Sequence, residues 1–393
     1  MTQHIDIAIV GGAGHVGLPL ALAFANKGQS VLVMDINQQA LDIVQAGKLP
    51  YMERDGEIYL KNALENNRLF FSADPASIQN AKNIILTIGT PVDEFLNPDI
   101  RAVQRCVDDL APYFQKDQLI ILRSTVFPGT TDWLVEYAQK KQMGVDIAFC
   151  PERVVQGEVM QELHNIPQLV SGGTLKAQTR ASELFGLLTK EIIHLSTKEA
   201  EFAKLFTNSY RYIRFATANQ FYMMAENSGL DYYRIHDAVV RNYPRMADMP
   251  RPGFTAGPCL FKDTMQLAAF AKNEFTLGHD AMLINEGLPL YIVEKLKRQY
   301  GDSLKNKVIG LLGMAFKPNC DDIRSSLSYK LKKTLALYTD YVLTTDPYVQ
   351  VDPTLSTLEV VLEKSDILIL CTPHRDYKNL NLRGKVLLNV WGE

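Results

Sequence analysis

Short, apolar, β-branched runs alternate with longer amphipathic stretches through the first half of the chain. "IDIAIV" runs into "GGAGHVG", and "PLALAFANKG" then repeats its apolar positions at helical spacing. "SVLVMD", "NIILTIGTP", "QLIILRSTV" and "DIAFCPE" are later runs of the same kind, separated by helical stretches. Runs this short and this apolar read as strands buried on both faces. Their alternation with helices predicts a doubly wound parallel sheet up to about residue 196. From 197 to 297 the strands vanish. "KEAEFAKLFTNSYRYIRFATANQFYMMAENSG" reads as one long helix ending at Gly229, and "AMLINEGLPLYIVEKLKRQY" as another. "NKVIGLLGMAF", "YVLTTDP", "DILILCTP" and "KVLLNVW" then restore the strand–helix rhythm up to Glu393. The expectation is an α/β chain in three parts, 1–196, 197–297 and 298–393, with a helical middle.

Composition narrows the classes. A chain of 393 residues exceeds one ordinary core, which fits more than one domain. The net charge is −3 and the basic residues are scattered, so neither nucleic acid nor an anionic membrane surface is an expected partner. No apolar run reaches the roughly 18–20 residues of a membrane span, so no membrane insertion is expected. "MTQHIDIAIVGG" enters a strand without a signal-peptide pattern, which makes the cytoplasm the expected location. The five cysteines (Cys106, Cys150, Cys259, Cys320, Cys371) are far apart and odd in number, against a disulfide framework. The seven histidines show no ligand spacing, so no metal is expected.

Gly12, Gly14 and Gly17 form GxGxxG directly after a strand and at the start of a helix, the context a dinucleotide site requires. The first glycine makes the turn, the second lets backbone approach a pyrophosphate, and the third lets helix and strand pack closely. Asp35 ends the next strand, about 20 residues on, where a carboxylate accepts from ribose hydroxyls and repels a 2′-phosphate. NAD is therefore expected over NADP. The competing reading is a structural turn with a helix-flanking acid, and strand, loop, helix and acid in sequence outweigh it. Both sheet-forming regions are accordingly expected to be Rossmann-like.

Glu201, Lys204, Asn208 and Arg211 fall on one face of the long central helix. A solvated face is the ordinary explanation of such a stripe. Here apolar residues fill most other faces, and the mixture of an amide with cations suits an oxyanion better than ion pairing along the helix. "PGFTAGPCLFKDT" (252–264) sets Cys259 in a glycine-rich loop entering a helix, just before Lys262 and Asp263. A helix N-terminus with a nearby cation favours a thiolate, whereas a structural cysteine sits among aliphatic residues. The stretch alone leaves both readings open.

Taken in order, "GGAGHVG", "GTPVDEFLNPDI", "STVFPGT", "CPERVVQGE", "AEFAKLFTNSYR", "PGFTAGPCLFKDT" and "GMAFKPNCDDIRSS" resemble the UDP-glucose/GDP-mannose dehydrogenase family of nucleotide-sugar 6-dehydrogenases, over nearly the whole chain. The resemblance implies oxidation of a sugar-nucleotide C6 alcohol to a carboxylate, with two NAD⁺ and one water. It also implies a C-terminal UDP-binding domain, with "GLLGMAFK" as a degenerate nucleotide loop, and a homodimer formed through the central helices. Cys259 matches the family nucleophile. Lys204 and Asn208 match positions that hold the C6 oxygen, and Asp263 a carboxylate that orients the lysine and a water. Glu152 matches a glutamate of the hydrolysis step and Thr125 a hydroxyl near that water.

On the cofactor side the resemblance adds His15, Val16, Thr90, Thr125, Lys262 and Arg324 to the glycines and Asp35. On the sugar-nucleotide side it implies Glu152, Arg153, Lys204, Asn208, Arg211, Arg245, Gly253, Phe254, Gly257 and Lys317. Two departures stand out: Gln156 replaces a second glutamate of UDP-glucose dehydrogenases, and Ala256 replaces a usual glycine. "RNYPR" (241–245) and "PER" (151–153) resemble elements of the enzymes for N-acetylated sugars, so a UDP-N-acetylhexosamine is the expected substrate. UDP-glucose is the alternative and GDP-mannose a distant third. A two-electron 3-hydroxyacid dehydrogenase has no use for Cys259. A dinucleotide sensor would not need Lys204, Asn208 and Cys259 together.

Overall fold

The computed structural model describes residues 4–93, 98–99, 101–382 and 384–392, so the motif at 89–100 lies partly outside the described residues. The chain forms two compact units, Met1–Phe206 and Thr207–Glu393. The strands of the first are β1 (Ile5–Val10), β2 (Val31–Met34), β3 (Leu69–Ser72), β4 (Ala81–Leu86), β5 (Leu119–Leu122), β6 (Asp146–Phe149), β7 (Gln168–Gly172) and β8 (Ile192–His194). Its helices are α1 (Gly17–Asn26), α2 (Gln38–Gln45), α3 (Gly56–Glu65), α4 (Arg101–Leu110), α5 (Thr130–Lys140), α6 (Val159–Asn165) and α7 (Leu175–Phe185).

The sheet order is β3-β2-β1-β4-β5-β6-β7-β8. Strand order reverses between β1 and β4, the place where open α/β sheets bind ligands beyond the strands' carboxyl ends. Period-two alternation sorts the core: Ile7 and Ile9 of β1 join the cluster on one face, Ala8 and Val10 the other. The expectation of a parallel sheet holds from β3 to β6. Beyond it, β7 runs antiparallel to β6, pairing Ala148 with Gly172 and Phe149 with Ser171. The reason is the connection. Residues 150–167, with the short α6, stay at the carboxyl end of β6 and never cross back over the sheet, as a parallel partner would require.

The long α8 (Thr197–Asn227) carries the chain across the boundary of the two units. The second unit continues with α9 (Tyr232–Val240), α10 (Leu260–Phe270) and α11 (Thr276–Tyr300). A parallel sheet ordered β10-β9-β11-β12 follows, from β9 (Ile309–Leu312), β10 (Val342–Thr345), β11 (Ile367–Leu370) and β12 (Val386–Asn389). Helices α12 (Leu327–Leu335) and α13 (Leu358–Lys364) connect its strands. Tyr222 of α8, Leu288 and Ile292 of α11, and Ile309, Leu311 and Ile369 of this sheet share one apolar cluster.

The degenerate glycine loop follows β9, with Gly313 at φ +93°. Asp346, just past β10, occupies the position that Asp35 occupies after β2. Its Oδ2 accepts from Met314 N at 2.7 Å, Ala315 N at 2.9 Å and His374 Nε2 at 3.0 Å, and its Oδ1 from Tyr348 N and Val349 N. Both side chains of the Asp346–His374 pair are fully buried. Burial alone would push the Asp346 carboxyl up, but the hydrogen bond and charge of His374, with the N–H groups of Ala315 and Tyr348, outweigh it and hold it below its ordinary 3.8. A depressed carboxyl pKa stabilises the fold above the unfolded value, and that contribution is lost as pH falls through the folded value. Asp346→Asn should therefore lower stability at pH 7 by roughly 1–3 kcal/mol. The gap from the native chain should narrow below about pH 4 in denaturant titrations. A gap of constant size across that range would mean that the carboxylate charge contributes nothing.

Candidate active site

In the first unit the topology lines up residues that are far apart in sequence. Gly11–Gly17 follow β1, Asp35 follows β2, Thr90 lies beyond β4, Thr125 beyond β5, and Glu152 beyond β6. All leave the carboxyl ends of parallel strands along one edge of the sheet. Thr90 Oγ1 donates to Thr125 O at 2.6 Å, joining two of these loops directly.

The glycines divide the labour somewhat differently from the motif's usual account. The left-handed turn residue is Gly11 (φ +74°), one position ahead of the motif. A Cβ on Gly12 would lie 2.6 Å from Ile9 O, and one on Gly17 2.4 Å from Gly11 O, so both positions are closed to side chains by packing. A Cβ on Gly14 would meet nothing nearer than Gly11 O at 3.3 Å, which leaves that side open for a ligand's approach. α1 has no side-chain cap and no acid in its first turn. In contrast α2, α7, α9, α12 and α13 are each capped by Asn37, Thr174, Asp231, Ser326 or Thr357. Leu18 N already donates to Gly14 O at 2.9 Å and residue 19 is a proline, so of the first turn of α1 the Gly17 N–H is the group left to meet a pyrophosphate among the described residues. Asp35 Oδ2 accepts from Ala13 N and Oδ1 from Asn37 N, both at 3.0 Å, so the carboxylate is fixed beside the loop. Open backbone, an uncapped helix and a placed acid fit NAD.

Glu152 is buried and heavily engaged. Its Oε2 pairs with the Arg123 guanidinium, and its Oε1 accepts from Arg153 N at 2.7 Å and Val154 N at 2.9 Å. Arg123 is itself buried, bonded to Cys150 O and Gln168 Oε1, with its guanidinium over the Phe185 ring. Arg153 donates to Pro167 O; burial first, with the Arg123 charge beside it, holds its guanidinium below the ordinary value against the opposing charge of Glu152. Arg123 was legible as an arginine closing the apolar run "LIILR", because a charge at a buried strand end needs a partner. Tyr51 and Glu53 left no such signal. Tyr51 Oη donates to Gly14 O at 2.9 Å and its ring stacks on His15, while Glu53 accepts from Gly157 N and Val159 N.

The stripe on α8 is buried, not solvated. Glu201 accepts from Gly129 N, Thr131 N and Thr131 Oγ1, which satisfies the start of α5. Lys204 is 9% exposed and its ammonium has no hydrogen bond or ion pair among the described residues. Arg211 is half-buried beside this stripe.

In the second unit Asn208 Nδ2 donates to Asp263 Oδ2 at 2.5 Å, and Lys262 Nζ lies 3.4 Å from Asp263 Oδ1. Cys259 is the N-cap residue of α10, so its thiol stands at the positive end of a helix dipole. Arg324 chelates Asp322 through Nε and Nη2. That hydrogen bond first, with burial opposing, and the nearby Cys259 and Cys320 thiols after it, hold the guanidinium above its ordinary value. Gly257 N donates to Ser325 O at 3.4 Å, and Phe254 is buried. Lys317 lies in the segment 313–326, where its carbonyl receives the Cys320 thiol at 3.3 Å. Arg245 stands apart from these contacts, exposed, with its guanidinium over the Tyr243 ring.

Of the five cysteines, all of them described, only Cys259 is exposed. Burial pushes the Cys106 thiol up to about 11 and Cys150 up to about 12, and raises Cys320 and Cys371 as well. Among the described residues no cluster of His, Cys, Asp or Glu could hold a metal, and no helix is long and apolar enough to cross a membrane.

Three family models match the chain in order. They are the NAD-binding domain of the UDP-glucose/GDP-mannose dehydrogenase family at 5–189, its central domain at 198–287 and its UDP-binding domain at 310–390. A UDP-N-acetyl-D-mannosamine dehydrogenase of Escherichia coli (strain K12) is 30% identical over 399 residues, covering 94% of each chain. The chain belongs to the UDP-glucose/GDP-mannose dehydrogenase family. It is an NAD-dependent nucleotide-sugar dehydrogenase. Among solved structures, the UDP-D-ManNAc dehydrogenase of Pyrococcus horikoshii matches with a TM-score of 0.90 at 26% identity, over 99% of both chains. A UDP-glucose dehydrogenase from Pyrobaculum islandicum shares the fold, with a TM-score of 0.89 at 24% identity over 99% of this chain and 95% of that one.

Asp35→Ala should raise the KM for NAD about 10- to 100-fold, because a charged hydrogen-bond acceptor is worth roughly 1.5–3 kcal/mol. Discrimination against NADP should fall at the same time. Unchanged kinetics with both cofactors would reduce Asp35 to a loop anchor. Iodoacetamide at pH 7.5 should label Cys259 well before the other four thiols, as read by peptide mass spectrometry. Equal labelling of two or more sites would contradict the burial pattern.

Proposed function

We propose that this dehydrogenase oxidises C6 of a UDP-N-acetylhexosamine from alcohol to carboxylate, in two two-electron steps, through Cys259. The observation that carries the reading is Cys259 itself, the one exposed thiol, at the head of α10, with Asp263 one turn on held by Asn208. Bound NAD⁺ supplies the hydride acceptor, once for each step. After the first oxidation the Cys259 thiolate adds to the aldehyde carbon, and the oxygen takes a proton to give a thiohemiacetal. Loss of a second hydride from that carbon, with the hydroxyl proton passing to solvent, leaves a thioester, and water releases the acid and the thiol. Splitting the oxidation in this way replaces one difficult step with two accessible ones.

Lys204 and Asn208 are one helical turn apart on α8, and in this reading they donate to the C6 oxygen as negative charge develops on it. Among the described residues Lys204 has no other partner to give up. Asp263 orients Asn208, while Glu152 and Thr125 act at the hydrolysis step. Because Arg123 and two backbone N–H groups already occupy Glu152, its contribution is a fixed negative charge that orients water. Gln156, an amide, cannot serve as a base, and it offers a donor to a 2-acetamido group. The name of the Escherichia coli relative supports the same sugar class. Arg245, exposed on its turn, is the sugar-side cation that this reading adds.

We also propose a homodimer through the central helices. Tyr210, Phe221 and Met224 share a face of α8 and are 61%, 46% and 62% exposed, and Leu283 and Leu290 of α11 are exposed as well. Light scattering at micromolar concentration should give twice the chain mass.

Two NADH should appear per sugar nucleotide consumed; one would indicate a simple dehydrogenase and none a sensor. Cys259→Ser should stop after the first hydride or accumulate a slowly hydrolysed ester, since serine is scarcely ionised near neutral pH. Acid production at the native rate would end the nucleophile assignment. Ranked by kcat/KM, UDP-N-acetylhexosamines should exceed UDP-glucose, and UDP-glucose should exceed GDP-mannose. Markedly faster oxidation of UDP-glucose, or an unaltered ranking in Arg245→Ala, would overturn the sugar assignment.

A further inference from the structure

The polar stripe of α8 does not end at Arg211. Asn219 follows Glu201 by eighteen residues, or five full turns at about 100° per residue. It follows Asn208 by eleven, or three turns plus roughly 20°. Like Glu201, Lys204 and Asn208 it is buried, at 0% exposure.

Its amide takes both backbone groups of one residue. Oδ1 accepts from Gly253 N at 2.8 Å, and Nδ2 donates to Gly253 O at 3.1 Å. The second Nδ2 proton goes to Oδ1 of Asn285 on α11, at 2.9 Å, and Asn285 Nδ2 donates to Tyr212 O at 3.1 Å. These partners fix the orientation of both amides, since reversing Asn219 would set its amino group against Gly253 N–H and its oxygen against two acceptors. Gly253 is confined from the other side. A Cβ there would lie 2.5 Å from the Trp391 ring.

Gly253 lies six residues before Cys259, and Asp263, held by Asn208, lies four after it. Two amides on one face of α8, roughly 16 Å apart along its axis, therefore grip the chain on either side of the thiol. Nothing within residues 252–258 is helix or strand, and Thr255 N donates to Gly253 O at 2.8 Å, so one short local bond is added to the grip of Asn219 on Gly253. A leucine at 219 would fill similar space without desolvating an amide. The polar network instead selects one path for the loop.

We propose that Asn219, oriented by Asn285, is a positioning residue for Cys259: it fixes the 253–258 loop so that the thiol meets the sugar carbon. The inference rests on the functional reading above, and Asn219 itself touches no reacting atom. Displacement of a reacting group by about 1 Å costs on the order of a hundredfold in rate.

Asn219→Ala is expected to lower kcat about 10- to 100-fold while the KM for NAD stays within about twofold. Alkylation of Cys259 by iodoacetamide, followed without substrate, should change several-fold in rate. Asn285→Ala leaves Asn219 in place, unlocking its amide and freeing Tyr212 O, so it should shift both quantities in the same direction by less. If Asn219→Ala does not fold, Asn285→Ala decides the matter, with thermal melting to confirm an intact fold. Native alkylation rates and kcat in a folded variant would overturn the proposal, as would a kcat that falls only with the folded fraction. The alkylation rate reports loop position whether or not the thiol is the nucleophile. Failure of the functional reading would appear separately, as acid production by Cys259→Ser.

Discussion

A polar side chain on a helix that is apolar on its other faces must find a partner, and this constraint organises α8 and the segments that depend on it. Glu201 meets it by satisfying the start of α5, Asn208 by holding Asp263, and Asn219 by gripping Gly253. Lys204 and Arg211 make no hydrogen bond or ion pair among the described residues, and the buried Ser209 Oγ and Tyr212 Oη find no partner there either. The amides of this stripe thus hold the chain on either side of the loop that carries the thiol.

Carboxylates in equivalent positions do different work, according to how many donors surround them. Asp35 takes one N–H on each oxygen and remains half-buried at the head of the glycine loop, with lone pairs left for ribose hydroxyls. Asp346 occupies the same place in the C-terminal sheet, yet accepts from four backbone N–H groups and His374 and is fully buried. It has no capacity left for a ligand, so in that domain the acid shapes the loop and does not read a ribose. Glu152 is an intermediate case, tied by Arg123 and its own loop while its segment remains at the open edge of the sheet.

Much of this was legible in the sequence because the signals are local. Apolar period and length gave the strands; strand, glycines, helix and acid in a fixed order gave the dinucleotide loop; helical spacing gave the stripe from Glu201 to Arg211. Seven ordered motifs gave the family. The antiparallel β7 was not legible, since nothing local in residues 150–167 says whether a connection recrosses a sheet. Nor was the division of duties among Gly11, Gly12 and Gly14, which depends on Ile9, Val33 and the opening of the loop.

The sequence by itself determined the elements, their order, and the residue types able to do the chemistry, because those follow from periodicity and from short spacings along one chain. The tertiary structure alone decided which of those residues are committed to the protein and which remain for a ligand. Arg123 closes on Glu152 across 29 positions, Glu53 on Val159 across 106, and Asn219 on Gly253 across 34. A hydrogen bond depends on distance and direction in space, and separations of that size carry no trace of either until the chain has folded.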